Sequence, residues 1–167
     1  MIYLATVVVI FLSIILQSTV FKALALADVV PNLLLVVTVS MAYIRGRKFG
    51  IFTGFLSGLL YDILFGSLIG LNAFLYMLVG YLIGYCNRIY YQNDFTFSLF
   101  LVGISDLFYN FLFYLFEFLL RSKLDLGNYF RSVMIPELIY TLLAGVVLYH
   151  ALNAMNNFLL RFEYKEE

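Results

Sequence analysis

The residues of this sequence that could do chemistry are a few acids, some amides and a single histidine, set within long apolar runs. Asp62 and Asp106 are carboxylates in two different runs, and His150 lies in the last one. An ionisable side chain in such a run is costly, so it must pair, lose its charge or face the inside of a bundle. Two such carboxylates could in principle serve as the acid and the base of a hydrolase.

The local patterns around these residues argue against catalysis. Tyr61-Asp62 and Gly103-Ile104-Ser105-Asp106 resemble the Tyr-Asp and Gly-x-Gly-Asp signatures of intramembrane aspartic proteases, but serine stands where the second signature needs glycine. His150 has no Gly-x-Ser-x-Gly nucleophile to serve. The single cysteine, Cys86, belongs to no CxxC pair or Cys/His cluster that could hold a metal. We therefore expect no enzyme, no catalytic residue, no metal site and no cofactor.

The composition places the chain in a membrane. Of its 167 residues, 64% are hydrophobic and 12% are charged, whereas an ordinary soluble domain has about 25% charged residues. A chain of this length cannot bury that much apolar surface in a core. Lipid must therefore cover the rest. Ten Lys and Arg balance ten Asp and Glu without a basic patch, and nucleic acid is therefore not expected as a partner.

Six charge-poor runs have about the length that an α-helix needs to cross a bilayer. Their backbone amides must be satisfied within each run, and the alternation of a barrel strand is absent, so all six are predicted to be helices. We expect one transmembrane domain over residues 1–167, an all-α bundle with spans at about 2–21, 29–44, 49–65, 68–86, 95–120 and 136–160. A five-span alternative stays open, because the third run is short, contains Asp62 and could be a re-entrant half-span.

The basic residues predict the orientation, since short loops rich in Lys and Arg stay cytoplasmic. Arg45, Arg47 and Lys48 form the densest cluster and predict a cytoplasmic N-terminus. No basic residue precedes the first run, which we therefore expect to be a retained helix and not a cleaved signal peptide. Residues 121–131 carry further basic residues on the opposite side, which fits a short amphipathic stretch in the outer interface.

Glycine recurs every four residues through the third run and beyond it. Residues four apart lie on nearly the same helix face, so these glycines form a smooth groove into which another backbone can pack. Gly80 and Gly84 repeat the spacing in the fourth run, which favours packing of the two runs on each other. Asp62 falls in the same series, and we expect it to cap amides of the following turn. The candidates for helix packing or partner binding are Gly50, Gly54, Gly58, Asp62, Gly66 and Gly70.

A second set of polar residues predicts a buried network. Asp106 and Asn110 lie on one face of the fifth run, and Asp106 is near its middle, where a lone carboxylate needs a polar partner. Candidate partners are Gln17 in the first run and His150, Asn153 and Asn157 in the last. Structural and functional interpretations of Asp106 both stay open. Pro136-Glu137 is typical of a helix start and is interpreted as structural.

Five motifs follow one another in the first half of the chain: Gln17-Ser18-Thr19-Val20-Phe21, Pro31-Asn32-Leu33-Leu34-Leu35, Arg45-Gly46-Arg47-Lys48-Phe49-Gly50, Gly54 to Asp62, and Phe65 to Ala73. Their order and spacing over residues 17–84 resemble the rod shape-determining protein MreD family. Asn32 departs from the family pattern, in which an acid more often follows the proline. The positions carried over from the resemblance are the glycine stripe, Asp62, Asn72 and the segment from Gln17 to Phe21.

The resemblance implies a non-catalytic scaffold of the bacterial cell-elongation (rod) complex, which helps to organise lateral peptidoglycan synthesis and cell shape. It implies a multi-pass protein of the inner membrane that binds MreC directly, surrounded by membrane lipid. Further expected members of the complex are MreB, RodA and a class B penicillin-binding protein. We expect the flat face of the third run, or the groove beside it, to receive a transmembrane or juxtamembrane segment of such a partner.

The alternative function is that of a substrate-binding membrane subunit of an energy-coupling-factor vitamin transporter, whose fold is similar to that of the family. In that case Gln17, Asp106, Asn110 and His150 would line a solute pocket. Those subunits commonly carry an Ala-x-x-x-Ala docking motif in the first span. The first run here lacks that motif, which favours the scaffold.

Overall fold

The computed structural model describes residues 2–21, 30–66, 68–87, 94–121 and 126–163. Within these ranges the chain forms helices and contains no strand. The long helices are α1 (Ile2–Leu16, continued by a π-helical turn at Gln17–Phe21), α2 (Leu33–Arg45), α3 (Arg47–Phe65), α4 (Leu71–Cys86), α5 (Phe95–Arg121) and α7 (Ile135–Glu163). A short helix α6 (Leu126–Tyr129) and a π-helical turn (Phe130–Met134) lead into α7.

The helices have the lengths and composition of a membrane bundle. Three stretches are long and apolar enough to cross a bilayer, namely Arg47–Phe65, Phe95–Phe116 and Gly127–Phe158. Three shorter apolar helices, Tyr3–Thr19, Leu33–Arg45 and Leu71–Cys86, complete the set found in the described ranges. The prediction of an all-α membrane bundle with six long helices is confirmed. The third run is one continuous helix of 19 residues. The choice between six and five membrane spans stays a prediction.

The structure describes two of the predicted segments only in part. Residues 22–29 and 122–125 lie outside the described residues, and the boundaries of the six membrane spans stay predictions. Of the expected amphipathic stretch, the described part from Leu126 onward is helical and continues into α7. It is therefore the beginning of a long helix.

The helix α2 lies at the centre of the bundle. All of its residues from Leu33 to Tyr43 are buried, and it contacts α1, α3, α4, α5 and α7. A helix that is apolar around its whole circumference is expected to be enclosed by others. Because α2 has no polar side to turn towards water, the remaining long helices can pack around it on every side.

The pair α3 and α4 is the most extensive helix contact in the described bundle. Gly50 on α3 lies against the backbone of Gly80 on α4, and Gly54 lies against the backbone of Tyr76. A Cβ atom added at Gly50 would be 2.6 Å from the Cβ of Ala42 on α2, much closer than unbonded carbon atoms approach. The missing side chains therefore let three backbones meet.

The same contact continues to the end of the helix. Gly58 lies against Asn72 and Ala73, and a Cβ atom at this position would be 2.5 Å from the Cα of Ala73. Because α4 covers this face, the expectation that Gly50, Gly54 and Gly58 receive a partner protein is wrong, and the stripe serves packing within the chain. We name this contact between α3 and α4 the glycine seam.

Gly46, four residues before Gly50, and Gly70 continue the same spacing, and the backbone itself requires glycine at both positions. Gly46 has φ 87° and Gly70 has φ 104°, values that L-amino acids with a side chain rarely adopt. Gly46 is the single residue between α2 and α3, and Gly70 directly precedes α4. Gly66 ends α3, and its amide donates to the carbonyl oxygen of Asp62 at 3.0 Å. The four-residue spacing thus combines packing positions with turn positions.

We predict that Gly54→Ala destabilises the protein, because the added methyl group overlaps the backbone of Tyr76, which has no room to move aside. Overpacking of a dense interior typically costs about 1–3 kcal/mol. Gly103→Ala is the matched control, since its Cβ meets Leu142 at an ordinary distance of 3.5 Å. Circular dichroism during thermal unfolding in detergent measures both. Equal midpoints for the two variants would contradict a tight seam.

Candidate functional site

Asp62 occupies the last turn of α3 and is buried, with 1% of its surface exposed. Its carboxylate accepts hydrogen bonds from the backbone amides of Gly70 (2.9 Å), Asn72 (3.3 Å) and Ala73 (3.0 Å), and from the side-chain amide of Asn72 (2.8 Å). These donors lie at the N-terminus of α4, where unsatisfied amides and the helix dipole favour a negative charge. Asp62 therefore caps the next helix, in agreement with the expectation from its position before the turn.

Asn72 on α4 bonds with Asp62 and also connects α4 to α5. Its side-chain oxygen accepts a hydrogen bond from the hydroxyl of Tyr109 at 2.6 Å. The ring of Tyr109 packs against the ring of Tyr76, with their centroids 5.0 Å apart. Both tyrosines are buried, so each hydroxyl needs a partner inside the protein.

Tyr76 connects α4 to the start of α2. Its hydroxyl donates to the side-chain oxygen of Asn32 at 2.6 Å, and the same oxygen accepts from the amide of Leu35 at 3.1 Å, which caps α2. The backbone amide of Asn32 donates to the hydroxyl of Thr141 on α7 at 3.1 Å. The side-chain amide oxygen of Asn32 accepts both hydrogen bonds, so an asparagine at this position can hold Tyr76 and cap α2 without a carboxylate.

Together these residues form a buried series that we name the polar chain: Asp62, Asn72, Tyr109, Tyr76 and Asn32. It joins α2, α3, α4 and α5, and Thr141 attaches α7 to it. The sequence does not indicate Tyr76, Tyr109 or Thr141 as members of this series, because tyrosine is frequent in this chain, with 14 copies, and the partners come from distant helices. The one available signal was Pro31-Asn32 before an apolar run, which is typical of a helix start.

A cavity of about 470 Å³ lies beside the polar chain. Aromatic rings on its wall come from Tyr61, Tyr109, Phe113 and Tyr129. Polar groups on its wall come from Gln17, Asn32, Asn110, Ser132 and Glu137. The side-chain oxygen of Gln17 is shielded from solvent and has no hydrogen-bond partner among the described residues. We name this space the polar cavity.

Asp106 and Asn110, the centre of the predicted network, lie on α5 next to this cavity. Asp106 is fully buried, and neither of its carboxylate oxygens has a hydrogen-bond partner in the described part of the chain. The side-chain amide of Asn110 donates to the backbone carbonyl of Asp106 at 3.1 Å. Glu137 on α7 lies close enough to Asn110 and Asp106 to interact with both side chains. Glu137, whose place in the sequence indicates only a helix start, is thus a polar neighbour of Asp106 and Asn110.

The prediction that His150 belongs to the buried network is wrong. Its side chain is exposed, its Nδ1 lies 2.9 Å from the carbonyl oxygen of Val146, and its ring packs against Phe95. Asn157 is also exposed. Both follow Glu137 by more than three turns of α7, so they lie towards the opposite end of the helix. Asn153 is half-buried, and its side-chain oxygen has no partner among the residues described.

The remaining candidates fall in two places. Gln17 begins the π-helical turn after α1 and reaches the polar cavity, whereas the side chain of Phe21 lies outside the described residues. At the other end of the bundle, Arg45 donates to the side-chain oxygen of Asn156 at 2.6 Å. The neighbouring Arg47 lies over the ring of Tyr81, 5.3 Å from its centroid. Two members of the basic cluster, Arg45 and Arg47, therefore contact residues of α7 and α4.

The fold and these contacts define a polytopic membrane protein whose buried polar groups join helices from distant parts of the chain. The family model for the rod shape-determining protein MreD matches residues 1–159. The chain belongs to the MreD family, and it is a rod shape-determining membrane protein. The resemblance stated for residues 17–84 is thereby confirmed and extended to nearly the whole chain. None of the curated proteins or solved structures matches it.

We predict that Asp62→Ala destabilises the protein far more than Tyr109→Phe does. Asp62→Ala leaves several buried donors without an acceptor, and each unsatisfied group costs about 1–3 kcal/mol. Tyr109→Phe removes a single hydrogen bond to Asn72, worth roughly 1 kcal/mol. Thermal unfolding in one detergent compares the two variants. An Asp62→Ala protein as stable as the Tyr109→Phe protein would show that the cap does not hold α3 and α4 together.

Proposed function

We propose that this protein is a non-catalytic scaffold of the cell-elongation complex in the bacterial inner membrane, and that it binds MreC directly. MreB, RodA and a class B penicillin-binding protein are the further members proposed for the complex, with membrane lipid around the bundle. The observation that carries the proposal is the match to the MreD family over residues 1–159. In this role the protein helps to organise lateral peptidoglycan synthesis and cell shape.

The use of the buried polar groups supports a role without catalysis. The carboxylate of Asp62 accepts four hydrogen bonds at the start of α4. A carboxylate held in this way is placed to join two helices and has no lone pair directed at a substrate. The hydroxyls of Tyr76 and Tyr109 are likewise engaged with Asn32 and Asn72.

A groove between α5 and α7 offers a docking face for a partner helix. It measures about 470 Å³, and its described lining residues are all apolar: Leu99, Phe100, Ile139, Leu142, Leu143 and Val146. Phe100 and Leu143 are 61% and 62% exposed. Helices associate in lipid by close packing, so a concave apolar groove can accept the side chains of a transmembrane segment. We propose that the single membrane span of MreC lies here and not on the glycine seam, which α4 covers.

We predict that Leu143→Trp reduces the amount of MreC that co-purifies, because the larger side chain fills the groove. Leu12→Trp on the exposed face of α1 is the matched control, since Leu12 is 53% exposed and lies outside the groove. The measurement is a mild-detergent pull-down of the tagged protein from its native membrane, with quantitative mass spectrometry. Size-exclusion chromatography checks that both variants fold.

The outcomes of this experiment separate the proposals. Loss of MreC in Leu12→Trp alone would move the docking face to α1. Recovery of paired ATPases with a coupling subunit, in place of MreC, would overturn the scaffold function. That result would favour the second candidate, a substrate-binding subunit of an energy-coupling-factor transporter.

One observation favours the second candidate, namely the polar cavity with Gln17 and Asn110 on its wall. His150, which that function was also expected to use, is exposed and does not line the cavity. The family match supports the scaffold instead. We therefore keep the transporter function as the alternative.

We further propose that the N-terminus is cytoplasmic. Arg45, Arg47 and Lys48 lie together at the turn between α2 and α3, and clusters of this kind stay on the cytoplasmic side. The turn between α3 and α4, which contains Ile69, would then face the cell exterior.

We predict that Ile69→Cys is labelled in intact cells by a thiol reagent that does not cross membranes, whereas Lys48→Cys is labelled only after permeabilisation. Both positions are exposed; Lys48 lies in the first turn of α3, and Ile69 lies in the turn that follows the other end of this helix. Both substitutions are made in a Cys86→Ser background, which removes the only native cysteine. The reverse labelling pattern would place the N-terminus outside.

A further inference from the structure

The wall of the polar cavity is rich in aromatic rings. Four aromatic side chains reach it from three helices: Tyr61 on α3, Tyr109 and Phe113 on α5, and Tyr129 on α6. The faces of aromatic rings carry a negative potential, and they attract cations that lie within about 6 Å of the ring centre. Several rings around one space are the arrangement that recognises alkylammonium groups.

The acids at this cavity also favour a cation. Glu137 is part of the wall, and Asp106 behind it is close enough for the two charges to interact. Neither carboxylate oxygen of Asp106 has a hydrogen-bond partner among the described residues. Two neighbouring acids in an apolar bundle are costly unless they lose a charge or a positive charge compensates them. The described lining residues include no lysine, arginine or histidine that could supply that charge.

The size and polarity of the cavity select among possible cations. A volume of about 470 Å³ is within the range of small-molecule sites and far exceeds a single metal ion. No group of three or more His, Cys, Asp or Glu side chains that could hold a metal is found in the described part of the chain. The amide of Gln17, with its unpaired oxygen, provides an additional acceptor for an N–H donor.

The cavity can be reached from one end of the bundle. Ser132, which contributes to its wall, is exposed and lies in the π-helical turn before α7. A ligand can therefore enter beside this turn, either from the membrane interface or from the adjoining water. An anion is disfavoured, because an ionised Glu137 would repel it and none of the described lining residues carries a positive charge.

We infer that the polar cavity binds a ligand through an ammonium group, held against Glu137 and surrounded by the rings of Tyr61, Tyr109, Phe113 and Tyr129. The ammonium group belongs either to a lipid headgroup such as that of phosphatidylethanolamine or to a free amine of similar size. This site is separate from the proposed docking groove between α5 and α7, and it does not depend on MreC binding.

The test uses the full-length protein in nanodiscs made of phosphatidylglycerol. In the first arm, ethanolamine and choline are titrated by calorimetry, with ethylene glycol as the neutral counterpart of ethanolamine. In the second arm, native mass spectrometry compares the retention of phosphatidylethanolamine and phosphatidylglycerol offered in equal amounts. Ammonium-selective binding in the first arm identifies a free amine as the source, and selectivity in the second arm alone identifies a lipid.

Glu137→Gln keeps the shape of the side chain and its acceptor for Asn110, so the variant should fold while it weakens ammonium binding roughly tenfold or more. Phe113→Leu provides a second variant, which removes one ring and should weaken binding by a smaller factor. Asp94→Asn is the matched control, because Asp94 is an exposed acid just before α5 and not part of the cavity wall. It should leave binding unchanged.

Two results would overturn the inference. One is that the folded wild-type protein binds neither free amines nor phosphatidylethanolamine in preference to their neutral or anionic counterparts. The other is that Glu137→Gln and Phe113→Leu bind with wild-type affinity. MreC co-purification is measured on the same variants, so that a failure of this inference is distinguished from a failure of the proposed scaffold function.

Discussion

Apolar side chains do not drive two helices together in lipid, because the lipid tails are as apolar as the helices themselves. Close backbone packing and buried hydrogen bonds must supply the association instead, and in this bundle both occur at the glycine seam. Because Gly50, Gly54 and Gly80 have no side chains, α3 and α4 come close enough for Asp62 to reach the amides at the start of α4. The polar chain to α5, α2 and α7 begins from that cap.

The buried polar residues divide into two groups with different consequences. Those of the polar chain have found partners in other helices, so they hold the bundle in one arrangement and are not free to bind anything else. Those around the polar cavity, including Asp106 and Gln17, retain atoms without a hydrogen-bond partner among the described residues. Buried atoms of this kind normally need an explanation, and a bound ligand is one that can be tested.

The packing of the helices determines which surface is the better candidate for a partner interface. The glycine stripe is the most conspicuous pattern in the sequence, yet α4 covers it completely enough that added methyl groups would overlap backbone atoms. The groove between α5 and α7 carries no comparable pattern, since it is formed by ordinary apolar residues such as Leu143 and Val146. A partner helix in lipid needs a shape to pack against, and that shape depends on how two helices lie together.

The sequence by itself determined that the chain is a membrane bundle of helices, that α3 and α4 could pack closely, and that Asp62 could cap the turn between them. These follow from composition, from spacing along one helix and from residues near each other in the chain. Only the tertiary structure decided that Tyr76 meets Asn32, that Glu137 lies beside Asp106, and that His150 faces outward. The physical reason is that a mainly apolar helix can bury almost any side. Its rotation, and with it the partner of each polar residue, depends on the packing of all its neighbours at once.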